Sequence, residues 1–317
     1  MVKEIFKKYT DEFESFRDKD NNKINIHYLS LWKDDKSYIH SFNNFVGPCD
    51  IRSISKTVMT LLTGIVKDLY PDFDEDTFIY QIIKDIIDIG DDKTKEMFKK
   101  IQVKHLLTHT IGYDKVLLMR DDIKDMDPDT YLDYIVNNEI RYNPGEYYLY
   151  SNAGFYILGV VLETFINEDL LTFANRHLFY KLDIVDHAWE KYGDYLAAAT
   201  RLWLRPEDLL KIGQVFLSKG VYNQERIVSE TWIEYMQTFT VETPSVDQES
   251  RVFRRYAYAK GMWLAKDPSI SFAHGTDGQI LILLPKVNAI ILTLANQNNL
   301  KDLEAILNDM VVELLNQ

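Results

Sequence analysis

The feature that most constrains the fold lies late in the chain. Gly278-Gln279-Ile280-Leu281-Ile282-Leu283-Leu284 and Ala289-Ile290-Ile291-Leu292-Thr293-Leu294 are β-rich apolar runs joined by a Pro285-Lys286-Val287-Asn288 turn. Two such runs predict a strand–turn–strand hairpin. A second hairpin is expected near the start, with strands at Ile24–Trp32 and Ser37–Phe42 around Lys33-Asp34-Asp35-Lys36. Helical spacing marks both ends: Ile5, Phe6, Tyr9, Phe13 and Phe16 share one face, as do Leu303, Ile306, Leu307, Met310, Val311 and Leu314. Between the hairpins, helical patterns dominate to about Asp194, broken by Pro71, Pro128 and Pro144. The expected fold class is therefore α+β in two lobes. Residues 1–57 and 195–317 would form an α/β lobe, an antiparallel sheet flanked by helices from both chain ends, and 58–194 an inserted helical lobe. The cleft between them is the natural site for a ligand.

Charge and cysteine usage exclude some functions. Thirty-six Lys and Arg against 49 Asp and Glu give a net charge of -13, which repels nucleic acid and anionic lipid surfaces. Cys49 is the only cysteine, so no intramolecular disulfide is available, and its neighbour Asp50 disfavours a reactive thiolate. The first residues lack the apolar core of an export signal and no run reaches membrane-spanning length. A cytoplasmic protein is expected, although an exported chain with its signal removed would read the same.

Three short elements carry chemistry. Ser53-Ile54-Ser55-Lys56 opens a helical pattern in which Val58, Leu61, Leu62, Ile65, Val66 and Leu69 form a stripe. Residues three apart on a helix share a face, so Ser53 and Lys56 can meet, and a desolvated lysine can accept a serine proton. The same spacing fits a serine N-cap followed by a surface lysine. Ser30 and Lys33 repeat the pattern on a strand, where odd spacing sends them to opposite faces. Tyr150-Ser151-Asn152 follows the turn residues Asn143-Pro144-Gly145. It offers a phenol for proton transfer and an amide for orientation, or a packed ring and a helix cap. His274-Gly275-Thr276-Asp277-Gly278 precedes the strongest strand, where His274 would bind an anion, steer a proton or simply pack. His105 and His109 have the i, i+4 spacing of zinc ligands, but Leu106 stands where H-E-x-x-H needs glutamate. No metal or cofactor is expected.

In this order the elements resemble the serine β-lactamase and penicillin-binding protein-like hydrolases, especially their class C-like branch, which includes D-aminopeptidases, esterases and nylon-oligomer hydrolases. Val103-Lys104-His105-Leu106-Leu107-Thr108-His109-Thr110-Ile111-Gly112 is similar to the family's HLLTHTSG segment, and Tyr150-Ser151-Asn152-Ala153-Gly154 and the stretch from Arg205-Pro206-Glu207-Asp208-Leu209 to Gly213 and Gly220 also match its pattern. The resemblance implies a β-lactamase/transpeptidase-like fold. It makes Ser53 the acylated nucleophile, with Lys56 and Tyr150 sharing acid/base work and Asn152 orienting. His274 would stand at the lysine or histidine of a K-T-G or H-x-G motif, and the backbone N–H groups of Ser53 and Asp277 would form the oxyanion hole. Thr276 departs from the usual glycine, and His274 removes a permanent cation that suits β-lactams. The expected activity is hydrolysis of an ester or amide in a small molecule or short peptide. The alternatives are a penicillin-fold binding protein with little turnover and a true class C-like β-lactamase.

Overall fold

A computed structural model describes residues 2–243 and 251–317. Its centre is an eight-stranded antiparallel sheet in the order Val241–Glu242, Ala257–Tyr258, Trp263–Leu264, Ser271–His274, Ile280–Leu284, Ala289–Ala295, Ile26–Lys33 and Lys36–Ser41. The two predicted hairpins are adjacent, because Leu29 pairs with Thr293 and Leu31 with Ile291. The early strands are bounded differently from the sequence reading, for a local reason. Asp34 and Asp35 both take left-handed φ, 49° and 61°, so the turn needs only two residues and the strands run up to Lys33 and start again at Lys36. Ser30 is fully buried within the first of these strands, while Lys33 Nζ donates to the Val287 carbonyl at 2.5 Å. That Ser-x-x-Lys pair does not meet.

The apolar runs at the sheet centre lack an apolar/polar alternation because both faces are covered. Ile280, Ile282, Leu284 and Ile291 pack with the terminal helices, Val2–Ser15 and Lys301–Leu315. Leu281, Leu283, Ile290 and Leu292 point the other way, into a larger core that includes the helix Pro206–Leu217 and the helical layer beyond it. Two helices of that layer position the site: Ser55–Leu69 and Ala153–Ile166, which pack against each other. The first is more deeply enclosed than a one-stripe pattern suggests, since every residue from Ser55 to Val66 is buried. No described helix is long and apolar enough to cross a membrane.

The sheet grips the Ser55–Leu69 helix through Gly261. Its φ is +71°, its carbonyl accepts from Thr57 Oγ1 at 2.6 Å, and a Cβ there would stand 2.8 Å from the Lys56 carbonyl oxygen. Gly261→Ala therefore combines a left-handed penalty with a backbone clash. We expect a loss of about 2–4 kcal/mol, read as a lower denaturant midpoint at unchanged slope.

Candidate active site

The polypeptide makes a sharp approach to the Ser55–Leu69 helix. Cys49–Asp50 pairs with Leu202–Leu204, and Arg52 then takes φ +51° before a 3₁₀ turn over Arg52–Ile54. The α-helix thus begins two residues after Ser53 rather than at it. Ion pairs on both sides hold this elbow: Arg52 donates to Asp50 at 2.7 Å and to Asp277 at 2.9 Å. Gly275 allows the approach of the segment that carries Asp277, since a Cβ there would lie 2.9 Å from Arg52 Cβ.

One turn on, Lys56 is fully buried. Its Nζ lies 3.1 Å from Ser53 Oγ, 2.8 Å from Asn152 Oδ1 and 3.1 Å from the Ala199 carbonyl. Burial disfavours the ammonium and lowers its pKa to about 7. A substantial fraction is therefore a free amine at neutral pH, next to a serine hydroxyl. Asn152 is itself fixed, donating Nδ2–H to the Leu118 carbonyl at 2.8 Å. It stands just before Ala153–Ile166 but makes no side-chain cap.

Tyr150 completes the cluster. Its ring centre is 4.9 Å from Lys56 Nζ, and its hydroxyl is hydrogen-bonded to Ser53. Burial pushes its pKa up to about 12, opposed by the Ser53 bond and by the charge of Arg255. The phenol is a proton donor across the ordinary pH range. Its ring is wedged between Trp263, stacked at 5.7 Å, and His109 at 4.4 Å. Burial and the Lys56 charge hold His109 neutral. His105 faces elsewhere, its Nδ1 accepting the Gln102 N–H at 3.0 Å. Among the described residues no group of three His, Cys, Asp or Glu gathers in metal-binding array.

The structure thus brings Ser53, Lys56, Tyr150 and Asn152 together. It does not bring His274 to them. Phe272 and His274 share the face turned to the terminal helices, and His274 Nε2 meets Glu304 Oε1 of the C-terminal helix at 3.0 Å. Burial, with Arg255 and Arg251 nearby, lowers its pKa to about 3, so it is a neutral packing residue at ordinary pH. The Asp277 carboxylate holds Arg52 and Arg120, and its N–H donates to Gln279 Oε1 at 3.2 Å instead of standing free. Both therefore depart from the sequence expectation, in which His274 bound substrate and the Asp277 N–H served an oxyanion. Ser53 and Asn152 open onto a cavity of about 690 Å³ that also meets Arg120, Tyr131 and Thr276.

Cys49 is buried away from this cluster, and burial next to Asp50 pushes its thiol up to about 12. Iodoacetamide at pH 8 should leave the native protein's mass unchanged and add one carbamidomethyl group after denaturation.

The Beta-lactamase family model matches residues 48–314. No curated protein sequence matches the chain. Solved structures do. A candidate beta-lactamase from Bacteroides dorei superposes with a TM-score of 0.77 at 16% identity, covering 100% of this chain and 98% of its own. A candidate 6-aminohexanoate-dimer hydrolase from Bacillus anthracis gives 0.75 at 15% identity, covering 98% and 81%. A penicillin-binding protein from Bacillus halodurans gives 0.71 at 15% identity, covering 99% and 100%. At these identities the likeness is one of fold.

Proposed function

The chain belongs to the beta-lactamase family, and from that premise we propose that it is a serine hydrolase working through an acyl-ester on Ser53. The observation that carries this reading is the buried Lys56 amine 3.1 Å from Ser53 Oγ. Neutral Lys56 takes the hydroxyl proton as Ser53 Oγ attacks a carbonyl carbon. The Ser53 N–H, in the first turn of its helical segment, stabilises the oxyanion. Tyr150 Oη gives its proton to the departing oxygen or nitrogen and is reprotonated from the Lys56 ammonium. Water then attacks the ester by the reverse proton path, releasing the acid. Asn152 holds Lys56 in reach of Ser53 throughout.

The cavity size supports a small ester or amide as substrate. An esterase or peptidase fits better than a β-lactamase, because the neutral His274 turned to Glu304 leaves that position without a cation for a β-lactam carboxylate. The test is covalent labelling. A fluorophosphonate should add one mass equivalent to the intact protein, mapped to the peptide containing Ser53. Short acyl esters, D-amino acid amides and a cephalosporin then sort the reaction class. No adduct and no turnover on any of these would overturn the reading, and an adduct without turnover on the panel would favour a binding protein.

A further inference from the structure

A guanidinium stands over the ring that stacks on the catalytic phenol, with no ion-pair partner among the described residues. Arg255 Cζ lies 5.6 Å from the centre of the Trp263 ring, whose plane is stacked on Tyr150 within 25°. Arg255 is partly buried, and among the described residues its side chain has no hydrogen bond or salt bridge. Its neighbour Arg251, in contrast, is paired with Glu304, the carboxylate that also holds His274. Tyr148, two residues from Tyr150, also feels the Arg255 charge, and its buried hydroxyl has no partner among the described residues.

We propose that Arg255 is a positioning residue for Tyr150, supplying the fixed positive charge that lets the phenol release its proton to the leaving group. This rests on the acyl-enzyme reading above. As the bond from the substrate carbonyl carbon to its leaving atom breaks, the electron pair goes to that atom, and the Tyr150 Oη proton follows it. The resulting phenolate lies in the field of Arg255 until the Lys56 ammonium returns the proton that came from Ser53. Of the groups around Tyr150, Ser53, Tyr148 and Tyr258 are neutral hydroxyls and His109 is a neutral imidazole. Lys56 carries a charge only when protonated. Arg255 is always charged.

The test compares two esters of the same acid, p-nitrophenyl butyrate, whose leaving group needs no proton, and ethyl butyrate, whose leaving group does. Arg255→Met should lower kcat/KM, which reports acylation, by about 100-fold on ethyl butyrate, the scale of one acid/base contribution, and by about 3-fold or less on p-nitrophenyl butyrate. Arg255→Lys should recover most of the loss. If the methionine variant does not fold, Arg255→Gln, which keeps a stem over Trp263, replaces it. Equal losses on both esters, or no loss on either, would overturn the proposal. Each of these is distinct from failure of the serine-hydrolase reading, which would appear as a wild-type protein without a fluorophosphonate adduct on Ser53.

Discussion

Ser53→Ala should lower kcat/KM on any ester the protein hydrolyses by about 10⁴-fold or more and abolish the fluorophosphonate adduct. Folding should be almost unaffected. Ser53 is partly exposed on the cavity wall, and its hydroxyl bonds to Lys56 and Tyr150 alone among the described side chains. Removing it leaves Lys56 held by Asn152 and the Ala199 carbonyl. The change in stability is therefore expected within about 1 kcal/mol, the net worth of one hydrogen bond. Denaturant unfolding and ester kinetics on the same preparation separate the two effects. A variant with more than about 1% of the original turnover would remove Ser53 from the nucleophile's role, because the residual catalysis left by binding alone lies far below that.

Much of the fold was legible in local patterns. The terminal helices follow their apolar stripes, and the central hairpin follows from two apolar runs with a proline turn between them. Ser53 and Lys56 were legible as a possible pair because spacing of three on a helical segment puts them on one face, whereas the strand geometry at Ser30 forbids it. The side of the sheet to which His274 points was not legible. Ser271, Phe272, Ala273 and His274 are all buried, so no alternation of polar and apolar residues marks which face is which. The decision belongs to Glu304, thirty residues later on another element. Backbone acceptors were equally hidden. Ala199 and Leu118 supply carbonyls to Lys56 and Asn152 from irregular segments in which Ala198 and Leu118 have φ of 56° and 59°. Neither has a side-chain signature. The ion pairs of Asp277 with Arg52 and Arg120 join three distant loops, and only the assembled chain shows that this carboxylate secures the elbow that carries Ser53.

The pH dependence of acylation tests the electrostatics of the site directly. Lys56 must be neutral to accept the Ser53 proton, and burial has lowered its pKa from that of an ordinary lysine to about 7. The acylation rate should therefore be low in acid, rise through a midpoint near pH 7, and stay on a plateau above it, because Tyr150 keeps its proton until about pH 12. Pre-steady-state bursts of p-nitrophenol measure that limb. Lys56→Met removes the base and should cost about 10³–10⁴-fold at every pH. Asn152→Asp offers a sharper test, since it retains an oxygen near Lys56 Nζ, now 2.8 Å from Asn152 Oδ1, and adds a negative charge. An opposite charge at that distance favours the ammonium and should move the midpoint upward by about 1–3 units. The variant would be nearly inactive at pH 7 yet recover as the pH approaches 10. A profile that keeps its midpoint near 7 in Asn152→Asp would mean that the titrating group is not Lys56. Movement of the limb with this one charge, and its disappearance with Lys56→Met, identifies the amine beside Ser53 as the group whose proton controls attack.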